Sequence, residues 1–413
     1  MKAVLLLGAG KSSIYIIDYL SHYLSSQQWT FVVADLNQKN LAERCESKLC
    51  TPVVLPSEST IGEIESLISK STIVVSMLPP AMHPTVAGFC LQYSVHLITP
   101  SYISDQMQSL DEKAKSNDLL FLNEMGLDPG IDHMSIMKAV SDFEPKLGKL
   151  KSLKSHCGGL VAKVSDTNLW HYKVSWNPRN VVLAGSGADT IKYRNNNQKV
   201  EVSYTDLFTH TTRIQAPSGE IYESYPNRDS LKYEQVYGLN GIETLYRGTL
   251  RKPPFCEGWD TLVKFGYTST IQHFPIVSPS NIENPKVRTM FEELGIFEIK
   301  PSSTIAADLL QELIENKWVL SSKDTDSVVM IHELEFEKGR VNYFLEIEGE
   351  SSLHTAMAKT VGLPIAIACK MMIEGKINER GVVLPISSSL FLPILSELKD
   401  FGIEFTEQIE YFN

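Results

Sequence analysis

A short apolar run that breaks on two closely spaced glycines constrains this chain more than any other feature. Val4–Leu7 is continuous and hydrophobic, as expected of a central parallel strand buried on both faces. It runs into Gly8-Ala9-Gly10-Lys11-Ser12-Ser13. Ser12–Leu24 then spaces Ile14, Ile17, Leu20 and Leu24 by threes and fours, the pattern of an amphipathic helix. The turn resembles the dinucleotide fingerprint G-x-G-x-x-G/A. In that reading Gly8 permits the tight turn, and Gly10 lets the backbone approach a pyrophosphate at the positive end of the helix. Ser13 occupies the third position, where a smaller residue is usual, so helix and strand are expected to pack slightly farther apart.

Strand and helix patterns continue to alternate behind this turn. Thr30–Ala34 closes on Asp35, and Val53–Leu55, Thr72–Val75, Val95–Thr99 and Leu119–Leu122 read as further buried strands. Helical periodicity fills Ile61–Ser69, Thr85–Tyr93 and Ser104–Lys115. Such alternation implies right-handed crossovers and a doubly wound parallel sheet, a Rossmann domain. Asp35 is placed to accept hydrogen bonds from the adenosine ribose, and its charge would repel a 2′-phosphate, so NAD is expected over NADP. Alternatively Asp35 merely caps a strand end. Lys11, basic and beside the pyrophosphate, suits either cofactor, which leaves NADP open. Ser12, Ser13 and Leu78 complete the expected cofactor-binding set.

Past residue 127 the period changes. Val200–Tyr204, Ser327–Glu335 and Arg340–Glu348 alternate apolar and polar residues, which suits half-buried antiparallel strands. Lys338-Gly339 reads as a hairpin turn. Between about residues 284 and 318 a helical insert is expected, its stripe of Ile305, Leu309, Leu310, Leu313 and Ile314 serving as core. The fold class is therefore α/β: a dinucleotide-binding domain over 1–127, then an α+β substrate and dimerisation domain over 128–352. A helix over Leu353–Met372 opens a segment, 353–413, expected to return to the first domain.

Several function classes drop out. The formal net charge of −11 argues against a nucleic-acid surface, whose affinity needs clustered Lys and Arg. No stretch is expected to be apolar for long enough to cross a bilayer, and Lys2 with Ala3–Leu7 is too short a run for a secretion signal. The six cysteines are scattered, with no C-x-x-C pair, so neither a disulfide framework nor a metal site is expected and a cytoplasmic location is favoured.

Farther along, Asn123-Glu124-Met125-Gly126-Leu127-Asp128-Pro129-Gly130-Ile131-Asp132-His133 resembles the signature of the glutamate-forming saccharopine dehydrogenases, or saccharopine reductases. His83-Pro84, Thr99-Pro100-Ser101-Tyr102-Ile103-Ser104 and Cys157-Gly158-Gly159-Leu160 agree with that family in order and spacing. So do Ser175-Trp176-Asn177-Pro178-Arg179, Tyr225-Pro226-Asn227-Arg228-Asp229-Ser230, Arg247-Gly248-Thr249-Leu250-Arg251 and Met357-Ala358-Lys359-Thr360-Val361-Gly362. The resemblance implies NAD(P)-dependent cleavage of saccharopine to glutamate and α-aminoadipate semialdehyde, or the reverse condensation, in lysine metabolism. A homodimer is expected, and because 413 residues are accounted for by one dehydrogenase, a free-standing enzyme is expected rather than the fusion found in some family members.

Saccharopine is a secondary amine with three carboxylates, so its enzyme must move protons and anchor anions. Guanidinium forks bind carboxylates bidentately. Arg228 and Arg251 match the family's substrate-binding arginines, with Thr249 and the Leu250 backbone on the same wall. Ser101 and Tyr102 stand beyond the carboxyl end of a parallel strand, where open α/β sheets bind ligands. Tyr102 either touches substrate or packs. Asp128 is the first choice for general acid/base, against a turn-forming Asp before Pro-Gly. Cys157 is a second candidate for proton transfer, against a small buried hydrophobe. His83 and His133 read as structural. Two other readings remain: a carboxynorspermidine dehydrogenase-like enzyme, whose substrate carries fewer carboxylates, and a dinucleotide-binding sensor without turnover.

Overall fold

The computed structural model describes residues 2–186, 191–300 and 304–412, which form two compact units. Unit 1 takes the chain up to Ser141 together with Met357–Glu404, and unit 2 takes Asp142–Ala356 and the segment from Phe405. The division thus falls after residue 141 rather than at 127/128. Positions 187–190 and 301–303, within the expected second domain and its insert, lie outside the described residues.

In unit 1 the chain runs β1 (Ala3–Leu7), α1 (Ile14–Ser25), β2 (Thr30–Asp35), α2 (Gln38–Cys45), β3 (Thr51–Val54) and α3 (Thr60–Ile68). It continues through β4 (Ile73–Ser76), α4 (His83–Tyr93), β5 (His96–Ile98), α5 (Asp105–Gln108), α6 (Asp111–Ser116), β6 (Leu120–Leu122) and α7 (Ile131–Leu147), whose last residues, from Asp142, are assigned to unit 2. Every residue of β1, β4 and β6 is buried, because helices cover both faces of a parallel sheet. The strand order is β15-β6-β5-β4-β1-β2-β3, with every pairing parallel, where β15 is Gly381–Val383. The order reverses between β1 and β4, so the glycine turn after β1 opens at the switch point.

Unit 2 is built on a nine-stranded sheet. Its elements begin with β7 (Leu150–Val161), α8 (Pro178–Val182), β8 (Ile191–Asn195), β9 (Gln198–Val202), β10 (Thr212–Gln215) and β11 (Ile221–Pro226). Next come α9 (Lys232–Val236), β12 (Thr244–Arg251), α10 (Phe255–Lys264), α11 (Pro285–Leu294) and α12 (Ala306–Lys317). The hairpin β13 (Asp326–Phe336) and β14 (Gly339–Glu348) follows, its turn on Glu337-Lys338 rather than Lys338-Gly339. A Cβ on Gly339 would stand 2.5 Å from the Glu410 carbonyl of the neighbouring strand, so glycine opens β14 and the turn moves one residue back. The main path is β10-β11-β12-β7-β13-β14-β16, where β16 is Thr406–Tyr411; β8 pairs with β12 and β9. All neighbours are antiparallel except β12 and β7.

The register sorts side chains between the two faces of this sheet. Residues opposed across a ladder share a face and neighbours along a strand do not. Cys157, opposite Thr249 and Met330, therefore points with Arg247, Arg251 and Tyr225. His156, opposite Gly248 and Ile331, points the other way with Lys154, Tyr246 and Glu333. The insert's Leu310 and Ile314 join a core rich in aromatics, with Trp170, Trp259, Trp318, Phe255 and Phe291.

The last segment, α13 (Ala356–Ile373), β15, α14 (Ser388–Asp400) and β16, divides. Met357–Glu404 belongs to unit 1, but β16 adds to β14 in unit 2, so the expected return of all of 353–413 to the first domain is corrected. The expectation about apolar length is corrected too. Helix α13 is long and apolar enough to cross a membrane by length and composition, and 72% of it is buried inside the protein. Its Lys359 and Lys370 interrupt the apolar run, which is why the sequence reads as falling short.

Candidate active site

Unit 1 gathers its chemistry along the carboxyl edge of the parallel sheet. Gly8 has φ +97°, and a Cβ there would sit 3.1 Å from the Met77 carbonyl beyond β4, so the turn requires glycine. Gly10 is exposed and a Cβ on it would meet nothing within 4 Å, an open approach directly before α1. This is the cradle a pyrophosphate needs. Lys11 is exposed, Ser12 half-buried, and Leu78 packs at the margin of the core. The Ser13 hydroxyl, fully buried, donates to the Gly10 carbonyl at 2.8 Å. Close approach to α1 is made instead by Gly362 of α13, whose Cβ position lies 3.3 Å from the Ser12 carbonyl.

Asp35 closes β2 as expected, but its carboxylate turns inward. Oδ2 accepts from Ala9 N–H at 2.6 Å and Oδ1 from Asn37 N–H at 2.6 Å. It therefore braces the glycine turn from the end of β2.

Beyond β5, Ser101 and Tyr102 are held by different partners. His83, which opens α4, places Nδ1 3.1 Å from Ser76 Oγ, and Nε2 2.8 Å from Ser101 Oγ and 3.1 Å from Thr99 Oγ1. Burial pushes its imidazole down to about 4, so the neutral ring ties the ends of β4 and β5 together. The Tyr102 hydroxyl donates to Asp128 Oδ1 at 3.0 Å. Asp128 is half-buried after β6, and the loop around it is shaped by a Gly130 whose Cβ would overlap Gly126.

Beneath them lies a buried network in which His133 is structural, as expected, and Glu124 and Asp132, given no role from sequence, are its partners. Glu124, at φ +55°, accepts from Ile103 N–H at 3.0 Å and lies 2.8 Å from His133 Nε2. Asp132 accepts from Gly130 N–H at 2.6 Å. These buried groups fix the segments on either side of Tyr102 and Asp128. Glu124, Asp132 and His133 stand in the family motif, which was the available signal.

Unit 2 holds the other expected residues. Cys157 is buried on β7 and shares its sheet face with Thr249 and Arg251. Arg251 is buried among rings, its guanidinium carbon 5.0 Å from the Tyr172 centroid, 5.2 Å from Phe255 and 5.8 Å from Tyr225. Its Nη1 donates to the Leu250 carbonyl at 2.8 Å, while Nε has no hydrogen-bond partner. Leu250 offers backbone only, since its side chain points to the opposite face in a cluster with Leu160, Tyr222 and Val329. Arg228 is exposed after β11 at φ +54°. Arg247, given no role from sequence, is buried with its guanidinium 4.3 Å from the Tyr233 ring.

Two family models match. One, described as the saccharopine dehydrogenase NADP binding domain, covers residues 4–122. The other, the saccharopine dehydrogenase C-terminal domain, covers residues 126–403. The chain belongs to the saccharopine dehydrogenase family. The NADP(+), L-glutamate-forming saccharopine dehydrogenase of Pyricularia oryzae is 30% identical over 99% of both chains. The α-aminoadipic semialdehyde synthase of Arabidopsis thaliana is 32% identical over 98% of this chain but only 45% of its own length. The chain thus spans about half of that longer relative. The apo saccharopine dehydrogenase (L-Glu forming) of Saccharomyces cerevisiae superposes with a TM-score of 0.86 at 28% identity, over 99% of this chain and 100% of that one. Fold alone is shared with a homospermidine synthase of Legionella pneumophila, at a TM-score of 0.59 and 12% identity. Residues 4–122 are therefore a nicotinamide-dinucleotide-binding domain. NADP, named both for the matching family domain and for the Pyricularia relative, runs against the NAD preference drawn from Asp35.

Proposed function

We propose that this saccharopine dehydrogenase family member interconverts saccharopine with L-glutamate and α-aminoadipate semialdehyde, using NADP. The observation that carries the reading is the Tyr102–Asp128 hydrogen bond at the carboxyl edge of the sheet, in a chain that matches saccharopine dehydrogenases end to end. The bound dinucleotide supplies the hydride acceptor for the carbon derived from the lysine ε-position. Asp128 takes the amine proton, and Tyr102 orients the carboxylate by its 3.0 Å bond. The resulting imine adds water, its C–N bond breaks, and the proton held at Asp128 returns to the departing glutamate nitrogen. Arg251 and Arg228 are assigned to substrate carboxylates, and Thr249 with Cys157 to the wall on the Arg251 side.

NADP is preferred over NAD because the matching family domain and the Pyricularia relative both carry its name. A homodimer in a reducing, cytoplasmic setting completes the reading, in keeping with six free thiols. The test is purified protein with saccharopine and either dinucleotide, followed at the reduced-cofactor absorbance, with light scattering for the assembly. Reduction of NADP, faster than of NAD, is expected. Turnover of carboxynorspermidine but not saccharopine would overturn the substrate. Dinucleotide binding without any turnover would leave a sensor.

A further inference from the structure

On the face of the unit 2 sheet opposite Cys157, Thr249 and Arg251, the strands leave a cavity of about 130 Å³. Its walls include Lys154, His156, Tyr193, Thr244, Tyr246 and Glu333. His156 is only 1% exposed, and its Nδ1 lies 2.8 Å from Ser224 Oγ. Its Nε2 has no hydrogen-bond partner. Glu333 Oε2 stands 3.6 Å from that nitrogen, a long contact at ion-pair distance that a ligand could shorten or replace. A buried ring nitrogen left in this state carries a desolvation cost that a ligand would relieve.

The chemistry around Nε2 defines the ligand. With the Ser224 hydroxyl donating to Nδ1, one of the two directions its 2.8 Å contact permits, the proton sits on Nε2, a buried atom of a ring that lines the cavity. Lys154 stands directly opposite Glu333 across β7 and β13, adding a cation on the same side. The His156 ring beside it holds the Glu333 carboxyl below the usual carboxylate range, against its own burial. The cavity therefore offers donors for an anion and, 3.6 Å away, an acceptor for a cation. A lone anion meets the Glu333 charge and a lone cation meets Lys154. An α-amino acid zwitterion carries both charges about 3 Å apart, a spacing set by its N–Cα, Cα–C and C–O bonds.

We propose that this cavity binds the zwitterionic head of a free α-amino acid, with its carboxylate on His156 and Lys154 and its ammonium on Glu333. Pairing each charge with its opposite closes a ring of charge-assisted hydrogen bonds between ligand and protein. The site is on the opposite sheet face from the residues assigned to saccharopine, so it stands whether or not that reading holds.

The test uses glycine and L-alanine as probes at millimolar concentration, with acetate and methylammonium as single-charge controls. Binding to the full chain is followed by calorimetry and by the His156 ring resonance in NMR, assigned with His156→Gln. Saturable binding that shifts His156 is expected. Lys154→Met and Glu333→Gln, both at less buried positions, should each weaken it by at least about ten-fold while saccharopine turnover stays unchanged. Acetate binding as tightly as glycine would make this a plain anion site and overturn the proposal. So would no binding of either amino acid, binding that leaves His156 unmoved, or binding indifferent to both variants.

Discussion

The guanidinium of Arg251 stacks among Tyr172, Tyr225 and Phe255 and donates to the Leu250 carbonyl, while its Nε keeps a donor in hand. A planar fork held in this way suits a substrate carboxylate. Arg251→Ala should raise the KM for saccharopine by at least about ten-fold with NADP binding unchanged. Arg251→Lys should rescue little of that loss, because an ammonium neither stacks nor forks. Steady-state kinetics with each substrate varied in turn measures both; a loss confined to NADP affinity would put Arg251 in another role. His83 makes a prediction in pH. Its imidazole lies near 4 when folded against an ordinary 6.5, so the neutral ring stabilises fully above 6.5. That stability is lost as pH falls from 6.5 towards 4, where the unfolded chain takes a proton the native ring refuses, up to ~3 kcal/mol. Urea unfolding of the parent and of His83→Gln, compared at neutral pH and about pH 5, should show the steeper loss in the parent. Residue identities were legible where motif and chemistry coincide, as for Asp128 and Tyr102. Their contact was not, because a separation of 26 positions along the chain gives no distance.

Helix α13 decides more than its apolar composition suggests. At Gly362 it passes α1 so closely that a Cβ would stand 3.2 Å from Ile16 Cγ1 and 3.3 Å from Ile16 N and the Ser12 carbonyl. Gly362→Val should push α13 off the first turn of α1 at a cost of roughly 1–3 kcal/mol. NADPH affinity should fall several-fold in fluorescence titration, since that turn follows the glycine loop. Unchanged affinity in a folded variant would uncouple the two. The same close approach explains how Ser13 is tolerated, since the tight packing next to the loop is made by a glycine far along the chain. Elements with a clean period were readable: β1, α1 and the β13–β14 hairpin stand within about two residues of expectation. The helix expected over Ser104–Lys115 is instead α5 and α6, separated at Ser109-Leu110, and α2 was not foreseen from its mostly polar sequence. Short helices held by caps such as Asn37, which accepts from Lys39 and Asn40 N–H, leave little periodic signal.

Each unit carries hydrophobic clusters of its own, an aliphatic one around the parallel sheet and an aromatic one in the second unit. Scanning calorimetry should therefore give a calorimetric enthalpy above the van't Hoff value, a departure from two-state unfolding. NADP should raise the transition of unit 1 by mass action. A single two-state peak shifted as a whole would refute independent cores. By itself the amino-acid sequence determined the Rossmann unit, because hydrophobic period and glycine placement are local properties that neighbouring residues must satisfy together. It also determined the family, because motifs in fixed order survive without knowledge of contacts. Only the tertiary structure decided that the Asp35 carboxylate faces the glycine loop, that Arg251 is caged by three rings, and that β16 leaves its neighbours to join the other unit's sheet. Those outcomes depend on which distant groups compete for one hydrogen bond, one ring face or one free strand edge, and that competition is settled only when the chain is folded.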